Sequence, residues 1–130
     1  MTDRFKIRVW DKVFNRYWTD EEIKENASWL LFPDNDNINN VEIEQCTGLK
    51  DKNGKLIFEG DIVKTKHDDV GVVIYSDHFL EWRIIFKKGR KHLLDNEEFG
   101  VPMFDFTENA IGKNILKVIG NIHENPELLK

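Results

Sequence analysis

The sequence predicts a mainly β fold: a small SH3-like barrel preceded by an N-terminal β-hairpin and one short helix. Three observations carry this expectation. Short runs alternate apolar and polar residues with the two-residue period of a strand that buries one face. Turns rich in Asn, Asp and Gly separate those runs. Gly60 and Asp61 open a run through Ile62 and Val63, and GVVIY follows from Gly71 after a polar loop, a spacing suited to strands that curl sharply and close with few residues.

In chain order, FKIRVW sets Phe5, Ile7 and Val9 against Lys6, Arg8 and Trp10, so the first trio is expected to face the core. DKVFNR turns the chain, and Tyr17 and Trp18 begin the returning strand. Thr19 followed three residues later by Glu22 is a capping-box pattern. It predicts one helix over 20–30, with Ile23, Ala27 and Leu30 or Leu31 on one face, ended by Pro33. PDNDNINN, 33–40, is loop chemistry. VEIEQ, 41–45, reads as a strand with Val41, Ile43 and Gln45 on one side. Asn53-Gly54 signals a hairpin with a type I′ turn, short or irregular because Leu49 is the one apolar residue shortly before it.

From Leu56 onward the runs LIFEGDIVKTK, VGVVIYS and FLEWRIIF read as antiparallel barrel strands joined at HDD and DH. Gly60 suits a bend or bulge, Asp61 a cap on neighbouring amides, and Gly71 a second close backbone approach. Gly89 centres a turn over 87–91. The stretch from Leu93 to Gly112 fits neither period and is expected to be a loop with one short helical turn. LKVIGNIHE, 116–124, reads as the last strand, with Leu116, Val118 and Ile122 inward and a bend at Gly120. The whole forms one domain, with an N-terminal subregion over 1–55, a barrel-like subregion over 56–124 and a tail over 125–130.

Composition agrees with a single core. At 130 residues, with nine Phe and four Trp, the chain can bury enough surface to fold without disulfides or metal. Cys46 is the lone cysteine, which suits a reducing cytoplasm. MTDRFKIRVW carries charges where a signal peptide would be apolar, and no apolar run reaches the length of a membrane span. The expectation is a soluble cytoplasmic protein. The net charge of −5 argues against wholesale binding to nucleic acid.

Few motifs carry chemistry. Ser28 and Ser76 lie outside any nucleophile elbow, and Cys46 sits near Glu44 and Asp51, which disfavour a thiolate. His67, His78, His92 and His123 lack the close spacing of metal-ligand pairs, so no metal site is expected from them. DNDNINN fails as a calcium loop at Ile38, Asn39 and Gln45. Glu59 and Asp61 read as a solvent-facing or turn-capping pair. No catalytic residue and no cofactor are expected. The remaining candidate is a basic segment: Lys64, Lys66, Arg83, Lys87, Lys88, Arg90 and Lys91, with Trp82 as a stacking platform for nucleic acid. Flanking acidic segments would make such binding weak and salt-dependent.

TGLKDKNGKLIFEGDIVK (47–64), with RVWDK (8–12) and GNIHENPELL (120–129), closely resembles the YopX family of small bacteriophage- and prophage-encoded proteins. The resemblance implies a β-rich fold with a barrel of SH3-like character and a phage or prophage origin, and it brings no catalytic residue. Cys46, Phe58 and His123 stand where that family usually has tyrosine, which removes hydroxyl hydrogen bonds but leaves partly apolar side chains. Gly48, Asn53, Gly54, Gly60, Asp61 and Gly71 then read as turn and bend requirements. With Trp10, Trp18, Trp29, Trp82 and nine phenylalanines in one small domain, the expected activity is a non-enzymatic interaction module. It would bind itself or another phage or host protein, with weak nucleic-acid binding as the alternative.

Overall fold

The structure is a computed structural model that describes residues 6–31, 40–106 and 115–130. It is mainly β, with two sheets and a few short helices. β1 (Ile7–Asp11) and β2 (Arg16–Tyr17) form the predicted hairpin. Asp11 shapes its turn: one carboxylate oxygen accepts the Val13 and Phe14 amides, both at 2.9 Å, and the other accepts the Trp18 indole N–H. The capping box is present, with the Thr19 hydroxyl accepting the Glu22 amide and the Glu22 carboxylate accepting the Thr19 amide. One helix over 20–30 was expected; instead there are two, α1 (Asp20–Glu25) and α2 (Ala27–Leu31). Asn26 separates them because its side-chain amide donates to the Glu22 carbonyl, competing with helix propagation. The expected loop over 33–40 lies, apart from Asn40, outside the described residues.

β3 (Val41–Lys50) runs five residues beyond the predicted strand. Its first half pairs with β1, its second with β4 (Leu56–Phe58), giving the order β2-β1-β3-β4. The change of partner needs a bend, and the register shifts between Cys46 and Lys50 around Gly48, whose φ is 84°. The hairpin at Asn53-Gly54 is present but is not type I′. Positive φ falls on Gly54 and not on Asn53, and the Gly54 amide bonds the Asp51 carbonyl. This is a three-residue loop with glycine in the left-handed position. Asp51 holds it from within, accepting the Asn53 and Lys55 amides on one oxygen and the Val118 amide of the last strand on the other.

The run over 56–66 is broken at Glu59 and Gly60, after which β5 (Asp61–Lys64) joins a second sheet with β6 (Val70–Ser76), β7 (Glu81–Lys88), β8 (Val101–Pro102) and β9 (Lys117–Asn121). Its order is β8-β7-β6-β5-β9, antiparallel throughout and curled as a half-barrel. Gly71 carries out the predicted close approach: a Cβ there would lie 2.7 Å from the Ile84 side chain and the Ile85 carbonyl. Ile57, Val63, Val73, Ile84, Phe86, Leu116 and Val118 form the core, closed at one side by Leu93, Met103 and Phe106. Those three come from α3 (Lys91–Leu94) and a 3-10 turn (Met103–Phe106), so among its described residues the stretch expected to hold one helical turn holds two and a short strand. Ile122, expected inward, is exposed, because the chain leaves β9 at Asn121. The tail forms a 3-10 turn (Pro126–Leu129) lying against β6.

The largest departure concerns faces. β1 and β3 were expected to bury one side only. Val9 and Val41 do pack with Leu30 under the helices, while Ile43 is exposed. The opposite side, with Arg8, Trp10 and Glu44, is covered as well.

Candidate functional site

On that second covered side, cross-strand pairing sets Arg8 opposite Glu44 and Trp10 opposite Glu42. Neighbouring side chains on paired strands share a face, so these four project together toward the junction between the sheets. Arg8 donates through Nε to Glu44 at 2.7 Å, through Nη2 to Asp61 at 2.8 Å and to the Glu59 carbonyl at 3.2 Å. Its guanidinium lies 4.8 Å from the Tyr17 ring centroid and 4.9 Å from that of Phe58. Tyr17 donates its hydroxyl to the same Glu44 oxygen at 2.8 Å. The other Glu44 oxygen meets His123 Nε2 at 3.1 Å, and Glu42 meets that nitrogen at 3.0 Å. Asn121 fixes the chain that carries His123, its side-chain oxygen accepting the His123 and Glu124 amides. The imidazole stacks on Trp10, centroids 4.5 Å apart and planes 5° from parallel.

Glu44 is 4% exposed and Asp61 1%. Asp61 was expected to face solvent or cap a turn; it does cap, accepting the Phe58 amide at 2.8 Å. It is nevertheless buried, because the bend at Gly60 turns it inward to Arg8. Burial pushes the Asp61 carboxyl up against the pull of Arg8. Burial also raises Glu59, with Glu44 and Glu42 adding repulsion. Burial opposes the Arg8 charge, yet Asp61 and Glu44 hold its acidity below that of a free guanidinium. Tyr17 is pushed up by burial with Glu44 adding. Beside the cluster lies a cleft of about 260 Å³ bordered by Glu42, Glu44, Glu59, Gly60 and Ile122. Gly60 is required here twice over: its φ is 85°, and a Cβ would come within 2.5 Å of the Glu44 carboxylate.

Sequence reasoning missed this cluster because it weighed Glu44, Arg8 and His123 separately. A signal was nonetheless present. The three segments that carry the family resemblance, 8–12, 47–64 and 120–129, meet here through Arg8 and Trp10, Phe58 to Asp61, and His123.

The basic segment is divided by the fold. Arg83, offered as a cation for nucleic acid, is 9% exposed and donates to the Phe99 and Gly100 carbonyls, with Glu81 as its ion-pair partner. Trp82, offered as a stacking platform, packs against the core and edge-on to Tyr75. Both sit toward the opposite end of β7 from Lys87 and Lys88. Arg90 pairs with the fully buried Asp69 at 2.6 Å, Lys91 with Asp95 at 3.0 Å and Lys64 with Asp68 at 3.4 Å. Lys66, Lys87 and Lys88 are exposed.

At the β6–β7 turn a different surface emerges. His78 stacks on Phe99 with centroids 4.8 Å apart, Phe79 meets Phe99 edge-on at 5.7 Å, and the Arg83 guanidinium lies 4.2 Å from the Phe79 ring. Phe79 and Phe99 remain exposed, and Leu80 is 74% exposed with φ at 55°. A branched apolar residue held in that region stores local strain.

Among the described residues, no helix is long and apolar enough to cross a membrane. No curated protein matches the chain. Among solved structures, it resembles the crystal structure of protein EF1440 from Enterococcus faecalis, with 26% identity and a TM-score of 0.53 over 96% of this chain and 97% of that one. The family model described as YopX protein matches residues 6–130, nearly the whole length. The chain belongs to the YopX family.

Proposed function

We propose that this YopX-family chain is a non-enzymatic protein-interaction module that associates with copies of itself through the β6–β7 turn, in the cytoplasm of a bacterium carrying the phage or prophage. The single observation behind this reading is the exposed ring cluster of His78, Phe79 and Phe99 beside strained, protruding Leu80. Aromatic side chains enrich interface centres, and local backbone strain clusters at functional positions. Beside the rings Arg83 and Glu81 neutralise each other, while exposed Asp77 and Glu98 flank the patch, so association should strengthen with salt that screens those carboxylates. Multi-angle light scattering of the full chain over a wide concentration range tests it. The expected result is a concentration-dependent dimer. Leu80→Gly relieves the positive φ and removes the apolar contact, so it should weaken dimerisation about tenfold, or ~1.4 kcal/mol, without lowering stability. A strict monomer at the highest concentration sinks the proposal, whether or not another phage or host protein binds there.

The second reading, weak nucleic-acid binding, draws on Lys66, Lys87 and Lys88, which the Asp69–Arg90 pair gathers at the other end of the sheet. Fluorescence anisotropy with single-stranded and duplex DNA and RNA would then show a steep salt slope that Lys87→Glu and Lys88→Glu flatten. Absence of binding at low salt removes it.

A further inference from the structure

The cluster at the sheet junction contains a chemical mismatch. His123 Nε2 is approached by two carboxylate oxygens, from Glu42 at 3.0 Å and Glu44 at 3.1 Å. A single N–H can donate well to only one of them. We propose that Glu42, Glu44 and His123 form a binding site for a divalent transition-metal ion of the zinc class, an ion that would serve all three ligands where one proton cannot.

Geometry supports the assignment. The ligand atoms all lie within 4.8 Å of one another. Tetrahedral coordination with bonds of about 2.0–2.2 Å places ligand atoms roughly 3.3–3.6 Å apart, so the His123 contacts need only a slight opening. The surroundings resemble the support such sites require. Arg8 and Tyr17 hold the Glu44 oxygen that faces away from His123, leaving its other oxygen directed at the imidazole. Trp10 fixes the ring plane. Gly60 leaves room for the Glu44 carboxylate, which a side chain at that position would displace. Glu42 is exposed along one side, and the cleft of about 260 Å³ beside it supplies an access route and space for a fourth, solvent ligand.

Charge points the same way. Glu42, Glu44 and Glu59 border the same cleft, and Arg8 pairs with Glu44 and Asp61 at its inner side. Ligand type then selects the ion. One imidazole with two carboxylates suits zinc and its neighbours, whereas calcium and magnesium favour larger all-oxygen shells.

The test is titration of chelator-treated full chain with zinc chloride by calorimetry, and with cobalt chloride by visible absorption, which reports tetrahedral ligand fields. One ion per chain is expected, with no response to calcium chloride. His123→Ala should weaken zinc binding more than about 100-fold and Glu42→Gln about 10-fold or more. Glu42→Gln alters a half-exposed side chain and should leave the far-ultraviolet circular dichroism unchanged, so its loss of binding cannot be a loss of fold. A triple variant, His67→Ala, His78→Ala and His92→Ala, should bind as the parent does. The proposal fails if the parent binds no stoichiometric zinc, or if Glu42→Gln and His123→Ala bind like the parent while the triple variant does not. In that event the contacts are hydrogen bonds alone.

Discussion

The interior of the five-stranded sheet and the junction between the sheets are both buried, yet they are held by opposite means. Around Phe86, Ile84 and Val73 the contacts are apolar and non-directional, and such packing tolerates small changes of shape at modest cost. At the junction, Arg8, Glu44, Asp61 and Tyr17 are joined by directed contacts that satisfy one another. Removing a member leaves a charge stranded in a poorly solvated place, which is far more damaging than the net worth of the pair implies. The apolar half therefore supplies most of the stability, and the ionic half specifies how β1, β3, the Gly60 bend and the chain after β9 are arranged relative to one another.

This contrast predicts unequal sensitivity. Arg8→Ala strands two buried carboxylates and should cost about 3–5 kcal/mol in urea unfolding, whereas Ile84→Val at a fully buried core position should cost about 0.5–1.5 kcal/mol. Equal losses would mean that the junction is not coupled. A finer probe compares two glycines with the same φ of 85°. Gly54→Ala meets nothing within 4 Å and should show backbone strain alone, about 1–2 kcal/mol. Gly60→Ala adds a collision with Glu44 and should lose clearly more; matching losses would show that Glu44 moves aside freely.

The smallest expected effect lies in the pH dependence of thermal unfolding. Glu59 is raised above its ordinary 4.5, so just above that value the native state holds more protons than the unfolded chain, and stability should rise as the pH falls through this window. Asp69 behaves oppositely. Burial works against its charge, but hydrogen bonds from Arg90 and Thr65 hold it down at about 2, from an ordinary 3.8. Its contribution is full above 3.8 and is lost as the pH falls toward 2. The melting temperature should thus peak on the acid side of neutrality. Glu59→Gln should reduce the rise, to which buried Asp61 also contributes, and Asp69→Asn should flatten the acid fall; an unchanged profile in both variants contradicts the assignment.

Much of the backbone was legible before the fold was known. The Thr19–Glu22 capping box, the bend at Gly60, the close approach at Gly71 and the strands from β4 to β7 follow from local sterics and hydrogen bonding, which a few neighbouring residues decide. The break at Asn26 was not read, because an asparagine inside a helical pattern is a small penalty that packing can settle either way. Nor was the exposure of Leu80, since a leucine held at positive φ in a turn leaves no trace in hydrophobic periodicity.

The candidate site marks the sharper boundary. Alternation over 5–10 and 41–45 correctly placed Val9 and Val41 on one side and Arg8 and Glu44 on the other. That much the sequence determines by itself, because side-chain direction along a strand is a local property. Whether the polar side meets water or protein depends on which distant segment covers it, and here Asp61 arrives at the start of β5 and His123 in the turn after β9. Tertiary structure alone decided that Glu44 would be buried, since the arginine and tyrosine that make its burial tolerable are neighbours in space and not in sequence.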